Sequence, residues 1–438
     1  MGDIELWLQV LGKALVSLLI QPLFYISLML LLTMFLYRVR MERSMFSVKL
    51  KEWKIPMVFL ILGGLVAAVI VSIISAVLGF TLTVSTVYWL WFIMLILMVF
   101  KVRFLTISYG AGIVAILHLI ASVIGPLSLQ NDMAYIYQTL IDINVISLLV
   151  ISALLGVAQS VLVRIQHKYM ISPVYMSGKR GKVIGGYVLQ GYWPIPLLLF
   201  MPVSPEQSGA FLFSTAYGQP FFMSMSNEAW LLLACPLMIG VTQLTQAVTP
   251  KQLAHRVSRQ GLLVSSVLLL ISIGSWWVSG LIWVAAILTL LAAELLNWYN
   301  ISQESKQVPL YGQDNKGLKV LAVVKSSPAE QMNIEIGDII IKANGQDVHS
   351  LEELYEAMSI NPAFCKLALL NNNRDLKFAQ RTRYADEHHQ LGIILAPDEQ
   401  AKYLAKYKEP SLFTWLGRTK LLRKESTIST ESSTTTVT

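Results

Sequence analysis

The chain has 438 residues, of which 55% are hydrophobic and only 14% are charged, and its formal net charge is +8. Soluble globular proteins carry about 25% charged residues, so this composition excludes a purely soluble protein and predicts an integral membrane protein with a soluble part. Residues 1–300 hold 17 basic and 9 acidic residues, whereas residues 301–438 hold 17 basic and 17 acidic residues. The basic excess belongs to the apolar part, which indicates retention of loops at the cytoplasmic face rather than nucleic-acid binding.

Long apolar runs fill most of the first 300 residues, and a membrane span needs about 20 such residues. The first run is interrupted by Gln21-Pro22, which predicts either one kinked span or an interfacial helix followed by a span. The sixth run carries Pro194 and Pro196, which predicts a kinked or partly re-entrant segment. The pattern predicts an α-helical polytopic domain with about eight or nine transmembrane helices. The predicted spans are residues 11–37, 56–80, 84–100, 104–124, 144–163, 185–201, 229–248, 261–278 and 281–299.

Basic residues are distributed unevenly among the segments that join these spans. Alternate segments hold 6, 2, 5 and 3 Lys and Arg residues, and the four loops between them hold none. Moving one such charge to the bilayer centre costs roughly 3 kcal/mol, so all of these segments should remain on one side. The positive-inside rule then predicts cytoplasmic basic loops and a cytoplasmic C-terminal domain in the cell membrane. The acidic N-terminus is then outside, unless residues 11–20 lie on the surface.

Two ionisable residues, His118 and Glu294, lie within the predicted spans. An ionisable residue inside a membrane is a candidate for transport or proton relay. The alternative is structural, because a neutral His118 can bond to a helix carbonyl and Glu294 lies near the cytoplasmic end of its span. The two cysteines, Cys235 and Cys365, fall in the apolar and soluble parts, so we expect no disulfide between them.

The stretch from residue 317 to 345 changes pattern abruptly and predicts a small domain. Residues 318–324 are β-rich and apolar, which is typical of a strand. Ser327-Pro328 then favours a short helix, with serine as the N-cap and proline at the first helical position. Residues 338–343 form a second predicted strand, and Asn344-Gly345 predicts a tight turn with positive φ.

The pattern continues downstream with a helix and three more strands. Ser350 and Glu353 form a predicted capping box for a helix that runs to residue 358. A hairpin of residues 366–370 and 375–380 follows, and residues 391–395 are the last predicted strand. The soluble part is therefore predicted to have a small α+β fold.

These motifs resemble a PDZ domain of the bacterial kind. The resemblance rests on Gly317–Val320, on Ser327–Glu330, on Ile336–Ile340 and on Asn344-Gly345, and it covers residues 308–397. It implies a groove in which a peptide with a free C-terminus adds itself to a sheet as an extra strand. The groove residues that the resemblance implies are Gly317, Leu318, Lys319, Val320, Leu351, Leu354, Tyr355 and Met358.

The chain is thus expected to have four parts. Residues 1–300 form the transmembrane domain, 301–307 a juxtamembrane linker, 308–397 the PDZ-like domain and 398–438 a tail that we expect to be disordered. The tail is basic and aromatic and then rich in Ser and Thr. Its basic part has two interpretations, a segment that binds anionic lipid and a loose tail.

The sequence carries none of the motifs of the enzymes that often bear PDZ domains. A zinc membrane protease needs H-E-x-x-H, and none of the six histidines is followed by Glu. The phosphate-binding motif G-x-x-x-x-G-K-[ST] does not occur either. We therefore predict no catalysis, no metal and no cofactor.

The whole layout, a polytopic half followed by one cytoplasmic PDZ domain, resembles the MinJ-type membrane proteins of the Min division-site system. The resemblance implies a non-enzymatic scaffold that links DivIVA-like and MinD-like proteins at septa and poles. Two rivals remain open, a transporter or transport accessory with a regulatory PDZ domain, and an adaptor that presents peptides to a membrane protease.

Overall fold

The computed structural model describes residues 2–46, 48, 50, 52–125, 131–178, 182–203, 212–213, 229–312, 317–361, 363–371, 373–382, 391–397, 403–405 and 422–424. Helices enclose a long β-hairpin in the first 306 residues, and a second sheet follows. The helices are α1 (Gly2–Ile20), α2 (Pro22–Phe46), α3 (Lys54–Leu78), α4 (Val84–Phe100), α5 (Ile107–Ile124), α6 (Asn131–Ile141), α7 (Val145–Met170), α8 (Pro250–Gly274) and α9 (Leu281–Lys306).

Six of these helices are long and apolar enough to cross a membrane, namely α2, α3, α5, α7, α8 and α9. Two shorter apolar helices, residues 11–20 and α4, lie among them. The predicted break at Gln21-Pro22 is confirmed, because α1 ends at Ile20 and α2 begins at Pro22. The described residues thus contain six helices that could span a membrane, fewer than the eight or nine transmembrane helices predicted.

The sixth and seventh predicted spans are wrong, because the structure forms strands there. The strands are β1 (Ile171–Ser177), β2 (Val183–Val203), β3 (Leu212–Phe213) and β4 (Ala229–Thr245). They form an antiparallel sheet in the order β1-β2-β4-β3, and β2 pairs with β4 from Tyr187–Thr245 to Val203–Ala229. Hydropathy alone does not separate a buried hairpin from two apolar helices, which explains the error.

The prolines that interrupt these two runs are compatible with the sheet. β1 covers β2 only as far as Leu189, so beyond that residue β2 is paired on one side. Even-numbered residues of β2 direct their backbone away from β4, since Gln190 O accepts from Arg38 and Leu198 N donates to Ser72 Oγ. Pro194 and Pro196 have the same parity, so their missing N–H groups remove no bond from the ladder.

The hairpin packs inside the helical layer rather than beside it. A Cβ atom at Gly64 in α3 would lie 2.2 Å from the carbonyl oxygen of Pro194, so the glycine permits close approach of α3 and β2. Trp193 is fully buried, and its indole N–H donates to Gln166 Oε1 at 2.7 Å. These contacts enclose this part of the β2 backbone in protein.

The second sheet occupies the C-terminal part and follows the predicted element order. Its elements are β5 (Leu318–Val323), α10 (Pro328–Gln331), β6 (Ile339–Ala343), β7 (Gln346–Asp347), α11 (Leu351–Ser359), β8 (Phe364–Leu370), β9 (Leu376–Thr382) and β10 (Ile393–Leu395). The strand order is β10-β5-β6-β8-β9, with β7 paired to β6. The predicted tight turn is confirmed, because Asn344 and Gly345 have φ values of 48° and 93°.

The predicted caps of both short helices are confirmed. Ser327 Oγ accepts from Glu330 N at 3.4 Å, and Ser350 Oγ accepts from Glu353 N at 3.1 Å. Glu353 reaches back and accepts from His349 N at 2.7 Å.

The structure adds detail at the two ends of the soluble part. Most of the predicted linker is helical, because α9 continues to Lys306. Within the predicted disordered tail, β11 (Tyr403–Ala405) and β12 (Leu422–Lys424) form an antiparallel pair, and β11 lies close to β1. The rest of the tail beyond residue 397 lies outside the described residues.

Candidate peptide-binding edge of the C-terminal sheet

The predicted groove strand lies in the interior of the sheet. β5 pairs with β10 on one side and with β6 on the other, through Ile394–Ala322 and Leu318–Ile340. A peptide adds itself as a strand only to a free edge, and β5 has no free edge in the described sheet. The peptide-accepting edge implied by the resemblance therefore does not lie on this strand.

The individual residues of the predicted loop have structural roles. Gly317 has a φ of 142°, and a Cβ atom there would lie 2.3 Å from the carbonyl oxygen of Ile340, so this position needs glycine. Leu318 and Val320 are buried in the core of the sheet. The ammonium of Lys319 donates to Leu310 O at 2.8 Å and lies over the Tyr311 ring, so it holds the incoming chain against β5.

The four predicted helix residues divide into two pairs. Leu354 and Met358 are buried in the same core as β5. Leu351 and Tyr355 are 40% and 42% exposed, so α11 presents an apolar surface beside its buried face. The alternation follows from their spacing of four residues, which places each pair on one face of the helix.

The free strand at one edge of the described sheet is β10. Gly392 O accepts from Val324 N at 2.8 Å, and Ala396 N donates to Lys319 O at 2.7 Å, so both face β5. Because successive residues of a strand point their backbone groups in opposite directions, Ile393 and Leu395 face the open edge. This edge presents the backbone positions to which an extended peptide could add.

The position of β10 at this edge was not predicted from the sequence, and a tight loop comes before the strand. Gly392 has a φ of 77°, and a Cβ atom there would lie 2.3 Å from Ser327 Cβ. Gly392 is a local sequence signal for this loop. The pairing of β10 with β5 joins residues that are far apart in sequence, Ile394 and Ala322, so local patterns do not predict it.

A second candidate site is a polar cavity in the membrane half. It encloses about 130 Å³ between the start of α5, α7, β4, α8 and α9. Arg103 and Tyr109 line the cavity, and both contact Glu294: Arg103 forms an ion pair with it, and Tyr109 Oη donates to its carboxylate at 3.0 Å. The other polar lining groups are mostly amides and hydroxyls, namely Thr106, Ser108, Gln159, Ser160, Thr242, Gln243, Gln260, Asn297 and Asn300.

The two ionisable residues predicted within the spans are thus both partnered. Glu294 is paired with Arg103, and His118 Nδ1 lies 2.9 Å from the carbonyl oxygen of Leu140. The expected contact of His118 with a helix carbonyl is confirmed. The two residues lie at different sites, since His118 faces α6 and does not line the cavity.

Residues with metal-binding chemistry do not converge in the part of the chain that the structure describes. No group of three or more His, Cys, Asp or Glu residues could hold a metal ion there. In the described residues Cys235 and Cys365 form no disulfide, and both are buried.

Comparisons with known proteins agree with this architecture. Residues 302–367 match the model of a PDZ domain. The "Cell division topological determinant MinJ" of Bacillus subtilis (strain 168) is 30% identical over 238 residues, which are 52% of this chain and 56% of that protein. The "Probable cell division topological determinant MinJ" of Lacticaseibacillus paracasei is 33% identical over 87 residues, which are 20% of this chain and 24% of that protein. No solved structure matches the chain.

A shorter similarity extends to a protease. The "Periplasmic pH-dependent serine endoprotease DegQ" of Escherichia coli (strain K12) is 33% identical over 66 residues, only 14% of that enzyme. The two MinJ relatives are named as division determinants and not as enzymes.

The fold and the family match define a protein with membrane-type apolar helices and a C-terminal PDZ domain. Over about half of its length the chain is homologous to MinJ of Bacillus subtilis. The matched region spans little more than half of that relative and about a quarter of the second.

Proposed function

We propose that this chain is a multi-pass, non-enzymatic scaffold that recruits partner proteins to the cell membrane and takes part in division-site selection. The similarity to two proteins named as division topological determinants carries this proposal. The partners are DivIVA-like and MinD-like proteins, which the scaffold would connect at septa and poles. The PDZ domain, with proposed bounds of 308–397, supplies the contact with partners.

The proposed orientation places the PDZ domain in the cytoplasm. The basic segments that follow α2, α4 and α7 and that open α8 support one common side. The β2–β4 hairpin does not disturb this alternation, because an antiparallel hairpin returns to the side from which it starts. α9 then brings the chain back to the cytoplasmic side, where β5 follows.

The proposed binding surface is the β10 edge together with the exposed apolar residues of α11. A peptide that adds to β10 gains backbone hydrogen bonds, and apolar pockets beside the strand supply specificity. Leu351 and Tyr355 are the predicted groove residues that remain accessible for this role. Leu318, Val320, Leu354 and Met358 support the surface from within the core.

The test is recruitment in living cells of a fluorescent full-length protein. We expect Leu351→Asp combined with Tyr355→Ser to abolish co-purification of division proteins and enrichment at septa and poles, because both changes put polar groups on an exposed apolar surface. Leu376→Asp on β9 is the matched control, since Leu376 is also exposed, at 57%, but lies on the opposite edge strand. Unchanged recruitment by the double variant would reject this surface, and a fusion spread uniformly around the envelope would contradict the division role.

A transport function is the second candidate, and the polar cavity is the observation that favours it. Its lining by amides, hydroxyls and Arg103, which pairs with Glu294, is unusual for a site that serves only helix packing. Glu294→Gln distinguishes the two functions, because it removes the charge that pairs with the cavity residue Arg103 and leaves the sheet edge intact. If Glu294→Gln abolishes the cellular function of the protein but leaves the recruitment of division proteins normal, the transport function is favoured.

A further inference from the structure

The C-terminal sheet is docked on the sheet of the membrane half. Gly185 N donates to Tyr311 O at 2.8 Å, which forms an isolated antiparallel bridge between the two parts. Tyr187 Oη donates to Leu321 O at 2.6 Å, and the rings of Tyr187 and Tyr311 meet edge to face at 5.3 Å. β5 and the segment before it are therefore fixed to β2 by backbone and side-chain contacts.

This contact is packed as tightly as a protein core. Tyr187, Tyr311 and Leu321 are all at most 1% exposed. A Cβ atom at Gly185 would lie 3.0 Å from Leu321 Cδ1 and 3.1 Å from Tyr311 Cβ, so only glycine fits without a shift. Burial of the two tyrosine rings stabilises this contact between the two parts.

The same docking brings a side chain of the membrane half to the open edge of β10. Tyr175 in β1 donates its hydroxyl to Leu395 O at 2.8 Å. Leu395 is one of the two β10 residues whose backbone faces the open edge. A backbone position that an added strand would use is therefore already occupied by this chain itself.

We propose that the docked membrane half is an autoinhibitory partner of the PDZ domain, and that β1 and a peptide compete for the β10 edge. The inference rests on the proposed peptide-binding function and adds its regulation. Binding of a peptide strand displaces the Tyr175 hydroxyl from Leu395 O and requires the sheet to move away from β1. Any event that loosens the contact between Tyr187 and Tyr311 opens the edge to peptides.

A disulfide lock tests this competition directly. In the full-length double variant Gly185→Cys, Tyr311→Cys, the two Cβ atoms start 3.1 Å apart, close to the separation of about 3.5–4.5 Å found in disulfides. The native cysteines are both buried and should not interfere. A phage library of random C-terminal heptapeptides, panned against the reduced double variant, supplies the peptide probe. Each single cysteine variant is the control for the substitutions themselves.

We expect oxidation of the double variant to weaken binding of the selected peptide by about tenfold or more, and reduction to restore it. Tyr175→Phe keeps the ring and removes the hydroxyl that bonds to Leu395 O. This single variant, without the added cysteines, should therefore bind the peptide more tightly than the wild-type protein. Equal affinity of the oxidised and reduced forms would overturn the inference and leave the peptide-binding function standing. A library that yields no peptide for the reduced form or for the Tyr175→Phe variant would reject the peptide-binding function, and the inference with it.

Discussion

At the scale of single residues, Asp338 is a carboxylate enclosed in the C-terminal sheet. It is 1% exposed, accepts from Glu335 N at 2.9 Å and lies 3.9 Å from the Lys377 ammonium. Burial raises the pKa of Asp338 above its usual 3.8, and the backbone bond and Lys377 only partly offset that effect. The site therefore favours the protonated carboxyl more than the unfolded chain does.

The raised pKa of Asp338 makes the stability of the protein depend on pH. As the pH rises through 3.8, the unfolded state ionises first, so the free energy of unfolding should fall until the raised pKa of the folded state is reached. Asp338→Asn should remove this dependence, because the amide oxygen still accepts from Glu335 N and does not titrate. Thermal unfolding of both proteins between pH 3.5 and about 6 measures the effect. A difference in melting temperature that stays constant with pH would contradict it.

The helix caps and the tight turn could be predicted from the sequence, because they depend on neighbouring residues. Ser327 and Ser350 cap their helices through bonds to residues three positions away, and Asn344-Gly345 form the turn through their positive φ values. The role of Lys319 could not be predicted, because its partner Leu310 O is brought near by the docking of the chain before β5.

At the scale of elements, the hairpin of β2 and β4 inside the helical layer depends on a close contact with α3. Gly64→Ala should destabilise the protein by about 1–3 kcal/mol, because its Cβ would overlap the Pro194 carbonyl, which belongs to the backbone. Gly12→Ala in α1 is the matched control, since a Cβ there meets nothing within 4 Å and alanine favours a helix. Thermal unfolding in detergent measures both, and equal melting temperatures would argue against the packed hairpin.

The hairpin also shows why some elements escaped prediction. An apolar run with prolines is compatible with a kinked helix and with a strand paired on one side. The pairing of β2 with β4, which places Pro196 opposite Pro236, distinguishes the two, and this pairing is not visible in either run alone. The groove strand was misplaced for the same reason. β5 and β10 are far apart in sequence, and strand order is a property of the assembled sheet.

At the scale of the whole molecule, the two parts are joined by more than the chain between them. Glu304 near the end of α9 accepts from Thr245 Oγ1 at 2.9 Å, from Gln246 N at 3.2 Å and from Arg256 at 2.9 Å. Gln246 O in turn accepts from Leu310 N at 2.8 Å. A buried carboxylate thus ties the end of β4 and the start of α8 to the segment that leads into β5.

The last prediction concerns orientation. Val308 is 84% exposed and lies just beyond the end of α9. In the Val308→Cys variant, a thiol reagent that does not cross membranes should label the protein only after the cells are permeabilised, because the basic segments place this end inside. Labelling of intact cells would reverse the proposed topology. The native cysteines are buried and provide the unlabelled background.

Continuity of α9 as far as Lys306 limits how far the PDZ domain can travel. Once the contact of Tyr311 with β2 is released, residues 307–317 separate that helix from β5, and a fully extended segment of this length spans about 40 Å at most. The PDZ domain therefore stays near the end of α9. In the proposed orientation, proteins bound to the inner leaflet would meet it more often than freely diffusing proteins would, so the length of this segment favours membrane-bound partners.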